Sequence, residues 1–298
     1  MEVVRITPRG YCHGVVEAIR MAKQVGRERG KDEPVSMLGY LVHNEHVTRD
    51  LEEHNVRLVD SDDRSEGLRR IESGTVIFTA HGISPTVVEE ARARGLRVVD
   101  ATCSDVTRTH DLVRTLTDGG CHVVYIGKRG HPEPAGVMGI APDHTTLVER
   151  LEEVDDIDLP ADTPLAVTCQ TTLSVWDTQA IIDRLLERFP HMEVHNEICR
   201  ATQDRQEAAV AAATDVDCVV VVGSRRSSNS RRLVQVVEER AGRPAHLVDT
   251  AADLRPEWFS AMRRVGVTAG ASTPTQITRA VIAALEAMPA GNGAGTAP

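Results

Sequence analysis

Aromatic residues are scarce in this sequence: two Trp, three Tyr and three Phe make up 3% of 298 residues. That leaves few of the flat side chains on which single-strand nucleic-acid binders stack bases. Basic residues are outnumbered as well, 34 Lys and Arg against 44 Asp and Glu, for a formal net charge of −10. Phosphate-backbone affinity comes from clustered Lys and Arg, so no nucleic-acid partner is expected. No apolar run approaches the ~18 residues of a membrane span. The best is Cys218–Val222, and no membrane partner is expected either. The start, Met1-Glu-Val-Val-Arg-Ile6, has no signal-peptide core, which points to a cytoplasmic chain. The six cysteines include no C-x-x-C pair, and reducing compartments keep thiols reduced, so a disulfide framework is not expected.

The residues that are present alternate regularly. Short apolar strands are predicted at Val3–Ile6, Val35–Leu38, Val76–Thr79, Arg97–Val99, His122–Ile126, Leu165–Val167, Glu193–His195, Cys218–Val222, His246–Val248 and Arg264–Val267. Between them lie stretches with apolar residues at three- and four-residue spacing: Gly14–Gly26, Pro85–Arg94, Val106–Leu116, Trp176–Phe189, Asp204–Ala213, Arg231–Ala241 and Thr275–Ala287. Strand, polar loop and amphipathic helix form the unit of an α/β fold on a parallel sheet. A hydrophobic content of 41% is enough to fill its core. The charge-rich runs Asp60–Arg70 and Glu149–Asp158 read as solvated helices or loops. Residues 289–298 lack large apolar side chains and are expected to form a disordered tail.

Three cysteines reveal a repeat. Cys12, Cys103 and Cys199 each close a strand, open a helix, and divide the chain into near-equal thirds. Two further loops correspond in order within each third: Tyr40–Glu45, Lys128–Glu133 and Ser224–Ser230, then Thr79–Ser84, Thr168–Ser174 and Thr268–Thr273. The last third lacks a closing strand of its own, which Val3–Ile6 is available to supply. The expected architecture is three pseudo-repeated α/β domains, 13–103, 104–199, and 200–288 with 1–12, arranged as a ring. Their strand ends would face a common centre, because ligands of open α/β sheets bind at the carboxyl ends of strands.

In such a ring Cys12, Cys103 and Cys199 would meet among His43, His81, His131, Glu133, Thr171, Ser227, Ser228, Asn229 and Ser272. Three thiolates suit a soft metal. Zinc with an open fourth position and an iron–sulfur cube with one open iron both remain possible on spacing alone. Cys121 and Cys218 lead into Val-rich strands and read as small buried hydrophobes. Cys169 reads equally as a pocket-lining or an inert thiol. His110, His122, His144, His191 and His195 read as surface or satisfied core residues, whereas His43, His81 and His131 occupy corresponding loops and suit an anion. Ser227–Ser230 precedes the helix expected near Arg231, where hydroxyls and backbone N–H groups bind phosphate or simply cap the helix. The segment Gly270–Pro274 has the same two readings. Glu133 would be the one carboxylate of the pocket, and a buried carboxylate tuned upward delivers protons.

These residues resemble the 4-hydroxy-3-methylbut-2-enyl diphosphate reductases, the IspH or LytB family. The matching motifs are Pro8–Gly14, Val42-His-Asn44, Thr79–Ser84, Asp100-Ala-Thr-Cys103, Gly130-His-Pro-Glu133, Gln170–Ser174, Ile198–Gln203, Ser227–Ser230 and Val267–Ser272, in family order. The resemblance implies three α/β domains around a central [4Fe–4S] cluster, one per chain, with one iron lacking a protein ligand. It implies that Cys12, Cys103 and Cys199 hold that cluster. It also implies that His43, His81, His131, Ser227, Ser228, Asn229 and Ser272 bind an allylic diphosphate, while Glu133 and Thr171 serve its hydroxyl. The implied reaction is reductive dehydroxylation to isopentenyl and dimethylallyl diphosphate, the last step of the non-mevalonate (MEP) route, with electrons from ferredoxin or flavodoxin. Neutral hydroxyls, amides and partly protonated imidazoles bind a diphosphate without Arg or Lys clamps.

Several positions differ from the familiar family pattern. His13 replaces a small residue, Ser104 stands where Pro is expected, Cys169 where Thr or Asn is more familiar, and Arg225-Arg226 where Lys-Asn is common. Two other readings stay open at this point. One is a zinc or iron hydrolase of a phosphorylated small molecule, separable by the absence of acid-labile sulfide. The other is a non-catalytic iron–sulfur sensor, although the chain has no recognisable DNA-reading module.

Overall fold

A computed structural model describes residues 1–29, 33–160 and 162–288. The tail expected at 289–298 lies outside the described residues. The strands are β1 (Glu2–Arg5), β2 (Val35–Leu38), β3 (Val56–Val59), β4 (Thr75–Phe78), β5 (Arg97–Asp100), β6 (His122–Ile126), β7 (Thr145–Val148), β8 (Leu165–Cys169), β9 (Glu193–Val194), β10 (Cys218–Val222), β11 (Ala245–Val248) and β12 (Arg264–Ala269). They form three four-stranded, wholly parallel sheets of order β3-β2-β4-β5, β7-β6-β8-β9 and β11-β10-β12-β1.

The three orders are one order. Each sheet places its second strand outside its first, then its third and fourth strands on the other side. In the last sheet the fourth strand is β1, paired with β12 in the register Val3 to Val265 and Arg5 to Val267. The chain reverses direction across the sheet between first and third strands, which is where open α/β sheets make a crevice for ligands.

Two strands, β3 and β7, are absent from the sequence expectation. Each is the outer strand next to the first, and β3 buries only Val56 completely among its four residues. By contrast β2, β4, β8 and β10 are buried along their whole length, as strands covered on both faces must be.

The chain divides into two compact units. One comprises Met1–Cys12, His43–His46 and the residues from Arg200, and contains the β11-β10-β12-β1 sheet; the other comprises His13–Val42 and Val47–Cys199, with the remaining two sheets. In the first unit, alternation along β10 sorts the core into two layers. Val220 and Val222 face Val281, Ile282 and Leu285 of helix Thr275–Ala287. Val219 and Val221 face Ala209, Ala213, Leu233 and Val237 from helices Arg200–Ala213 and Ser228–Ala241. Each such buried Val or Leu contributes roughly 1.5–3 kcal/mol over an exposed one. In the second unit one layer gathers Val124, Val167, Ile181, Ile182 and Leu185, and another Leu38, Val76, Phe78 and Val87. Among the described residues no helix is long and apolar enough to cross a membrane.

Candidate active site

The loops that leave the sheets repeat three times in atomic detail. Immediately after each first strand a glycine donates its N–H to the last residue of the second strand: Gly39 to Val59 (2.9 Å), Gly127 to Val148 (2.9 Å) and Gly223 to Val248 (2.8 Å). At the same offset beyond each of these strands stand His43, His131 and Ser227. Each cysteine is then fixed by one backbone bond to the loop after its third strand. Cys103 N–H donates to Ala80, Cys199 N–H to Thr171 and Cys12 N–H to Ala271, all at 3.1 Å. The three accepting residues lie at one offset from the ends of β4, β8 and β12.

In the larger unit, helix Pro132–Met138 carries Glu133 in its first turn and is capped by His131. His131 Nδ1 accepts the Glu133 N–H at 3.3 Å, which places the proton of the neutral ring on Nε2. The Glu133 carboxyl is buried; Oε1 accepts the Thr171 N–H at 2.7 Å and Oε2 the Thr171 hydroxyl at 3.2 Å. Burial pushes this carboxyl up, the two Thr171 bonds pull it back, and the balance lies at about 7. The buried Tyr125 hydroxyl also lowers it, though its geometry falls short of a hydrogen bond. The rings of His81 and His131 meet edge to face at 5.4 Å, and His81 Nδ1 lies 3.4 Å from Thr79 Oγ1. Cys103 caps helix Ser104–Asp118 and rests against Gly14, where any Cβ would collide with its sulfur.

In the smaller unit, helix Ser228–Ala241 begins three residues before the sequence expectation. Ser227 is its cap, accepting the Ser230 N–H at 3.2 Å, while Ser228, Asn229 and Ser230 form its first turn. Short polar residues obscure a helix start because their side chains compete for backbone hydrogen bonds. Ser230 is fully buried against Gly223 and Gly270, so it packs rather than faces a ligand. Asn229 bridges two segments, with Nδ2 donating to Thr202 Oγ1 and Oδ1 accepting the Ala271 N–H, both at 3.2 Å. Ser272 is not a cap; Pro274 takes that place, and the buried Ser272 hydroxyl has no hydrogen-bond partner. A buried orphan hydroxyl costs about 1–3 kcal/mol, so this donor is available to a partner from outside the protein. His43 precedes Asn44, whose Oδ1 accepts the His46 N–H at 3.0 Å.

Other expectations divide. Cys218 is fully buried, but Cys121 is only half-buried because it precedes β6 at the sheet's end. Cys169 is buried and burial pushes its thiol up to about 12, so it is an inert thiol. His110 is buried, yet its Nε2 has no hydrogen-bond partner and sits against Gly82 and Gly136. Sequence reasoning missed Arg205, whose guanidinium donates to the Gly10 carbonyl at 2.7 Å and so fixes the approach to Cys12. It also missed Arg64, inside a charged run, which donates to the Leu38 carbonyl at 2.7 Å and closes the end of β2. Isolated arginines in helices give no pattern that distinguishes these two.

All six cysteines lie outside disulfides, and the three that close sheets are neither deeply buried nor fully exposed. Such thiols, at strand ends and with room made beside one sulfur, fit a thiolate-bound metal centre. Thiols in such places, with a buried carboxyl near neutrality in the larger unit and hydroxyl and amide donors in the smaller one, are the donor types of a soft-metal α/β enzyme. Residues 3–286 match the family described as "LytB protein", and the chain belongs to that family. It is 54% identical over 286 residues to a 4-hydroxy-3-methylbut-2-enyl diphosphate reductase of Symbiobacterium thermophilum, covering 96% of this chain and 97% of that one. With a reductase of the same name from Brevibacillus brevis it shares 51% identity over 96% of this chain and 92% of that one. Among solved structures, the E-1-hydroxy-2-methyl-but-2-enyl-4-diphosphate reductase of Plasmodium falciparum superposes with a TM-score of 0.90 at 32% identity. That comparison covers 97% of this chain and 89% of the other.

Proposed function

We propose that this chain catalyses the reductive dehydroxylation of (E)-4-hydroxy-3-methylbut-2-enyl diphosphate to isopentenyl and dimethylallyl diphosphate, the last step of the non-mevalonate route. The observation that carries this reading is the threefold backbone bond, which holds Cys12, Cys103 and Cys199 in equivalent positions. Those residues would hold a [4Fe–4S] cluster, one per chain and with one iron lacking a protein ligand, within three α/β domains (13–103, 104–199, and 200–288 with 1–12). Bound there, it would supply electron transfer to the substrate, with a ferredoxin or flavodoxin as the donor.

The remaining work falls to the chain's own side chains. Ser227, Ser228 and the first-turn N–H groups of a 14-residue helix suit a diphosphate oxygen. Ser272 Oγ supplies a further donor without losing any bond inside the protein. His131 donates from Nε2, His43 and His81 add imidazole donors, and Asn229 holds the Ser272 loop in place through Ala271. Near neutrality Glu133 is half-protonated; as an acid it turns its proton toward Thr171 Oγ1, whose own proton is then released toward the substrate hydroxyl. The balance is two electrons and two protons taken up, a C–O bond broken, water lost and a C–H bond formed.

Anaerobic reconstitution with iron and sulfide tests the ligand set. Serine at position 12, 103 or 199 is expected to lower bound iron and acid-labile sulfide together, and serine at position 121 to leave both unchanged. Equal contents in all four variants would remove these thiols from the ligand role.

A further inference from the structure

The three cysteines are not equally well supported. Cys103 follows β5, and Cys12 follows β1, each of four residues, whereas Cys199 follows β9, a two-residue strand with both residues exposed. Between β9 and the helix beginning at Arg200 the chain runs through His195–Cys199 without regular structure. The ladder to β8 ends with the His195 N–H on Val167 at 2.9 Å, and the residues beyond it need other supports.

Beneath the turn lies Cys169, the last residue of β8. Its Sγ donates to Asn196 Oδ1 at 3.4 Å, and the same oxygen accepts the Ile198 N–H at 3.3 Å. One thiol therefore orients the side chain that folds residues 196–198 into a turn. The next residue is Cys199, whose N–H is bound to Thr171 two residues beyond Cys169. The stretch before Cys199 is thus supported at Glu197, whose carboxylate accepts from Arg108 Nε at 2.8 Å, at Asn196 through the Cys169 side chain, and at Cys199 itself through the Thr171 carbonyl.

We propose that Cys169 is a positioning residue, whose bond to Asn196 holds the turn that presents Cys199. The idea rests on the ligand role given to Cys199 above, but the geometry it invokes belongs to the metal-free chain. A threonine retains a donor at this site and a valine of the same shape does not, so the pair isolates the hydrogen bond.

The experiment uses the metal-free full-length protein and follows iodoacetamide alkylation of each cysteine by peptide mass spectrometry. In Cys169→Val, Cys199 is expected to react on the order of fivefold faster than in the parent, the equivalent of one neutral hydrogen bond lost from a local opening equilibrium. Cys12 and Cys103 are expected to keep their rates, and Cys169→Thr to restore the parental rate at Cys199. An unchanged Cys199 rate in the valine variant overturns the proposal, as does an equal rise at all three cysteines or a threonine variant that behaves like valine. Iron and sulfide content of the reconstituted parent tests the ligand reading separately, so the failure of one is distinguishable from the failure of the other.

Discussion

The Glu133 carboxyl is held near neutrality by burial on one side and the two Thr171 bonds on the other, which makes its behaviour with pH specific. Its ordinary value is 4.5 and its folded value about 7, so the folded chain holds a proton that the unfolded chain has lost across this interval. Stability from this group is therefore complete below about pH 4.5 and declines as pH rises toward 7. Glu133→Gln keeps an acceptor for the Thr171 N–H and removes the buried charge. It is expected to abolish turnover, yet at pH 8 to be more stable than the parent by on the order of 3 kcal/mol, with the difference gone near pH 4. Urea unfolding at the two pH values measures this, and a difference independent of pH would contradict the burial argument. Ser272 makes the opposite kind of prediction. Because its hydroxyl has no partner, Ser272→Ala is expected to leave the unfolding midpoint unchanged or raised while weakening inorganic diphosphate binding about tenfold by calorimetry. Undiminished binding would remove Ser272 from the anion site.

Elements place these groups, and here the repeat has its consequences. Short apolar runs and their alternation with amphipathic helices made the buried strands, the parallel sheet class and the closing role of Val3–Ile6 legible in the sequence. The outer strands β3 and β7 were not, since Val56-Arg-Leu-Val59 and Thr145-Thr-Leu-Val148 are short and covered only in part. Cysteine, histidine and serine positions in corresponding loops were legible because a repeat preserves offsets from strand ends. Roles set by packing were not: the orphan hydroxyl of Ser272 and the carbonyl held by Arg205 depend on how distant segments meet, and the capping nitrogen of His131 on the rotamer of one ring. Gly14 illustrates the difference. In sequence it is a helix-start glycine in a family motif; in the fold it makes the space that the Cys103 sulfur occupies. Gly14→Ala is expected to fold, as judged by circular dichroism, but to bind markedly less iron and sulfide on reconstitution. Full occupancy in that variant would show that the sulfur moves aside freely.

At the scale of the whole molecule, the proposed reading asks an acidic chain of net charge −10 to bind an anion through local donors rather than through overall charge. The N-terminal strand belongs to the same unit as the residues from Arg200, so the first and last parts of the chain complete one sheet. The family match extends over residues 3–286, which includes every strand residue except Glu2 and every candidate site residue. The most direct test of the account is therefore made on the complete, anaerobically reconstituted protein, with reduced viologen as electron source and 4-hydroxy-3-methylbut-2-enyl diphosphate added. Oxidation of the viologen is expected only when this substrate is present, and is expected to vanish on changing Cys12, Cys103 or Cys199 to Ser. A parent protein that holds its iron and sulfide but oxidises no viologen on addition of the substrate would contradict the account.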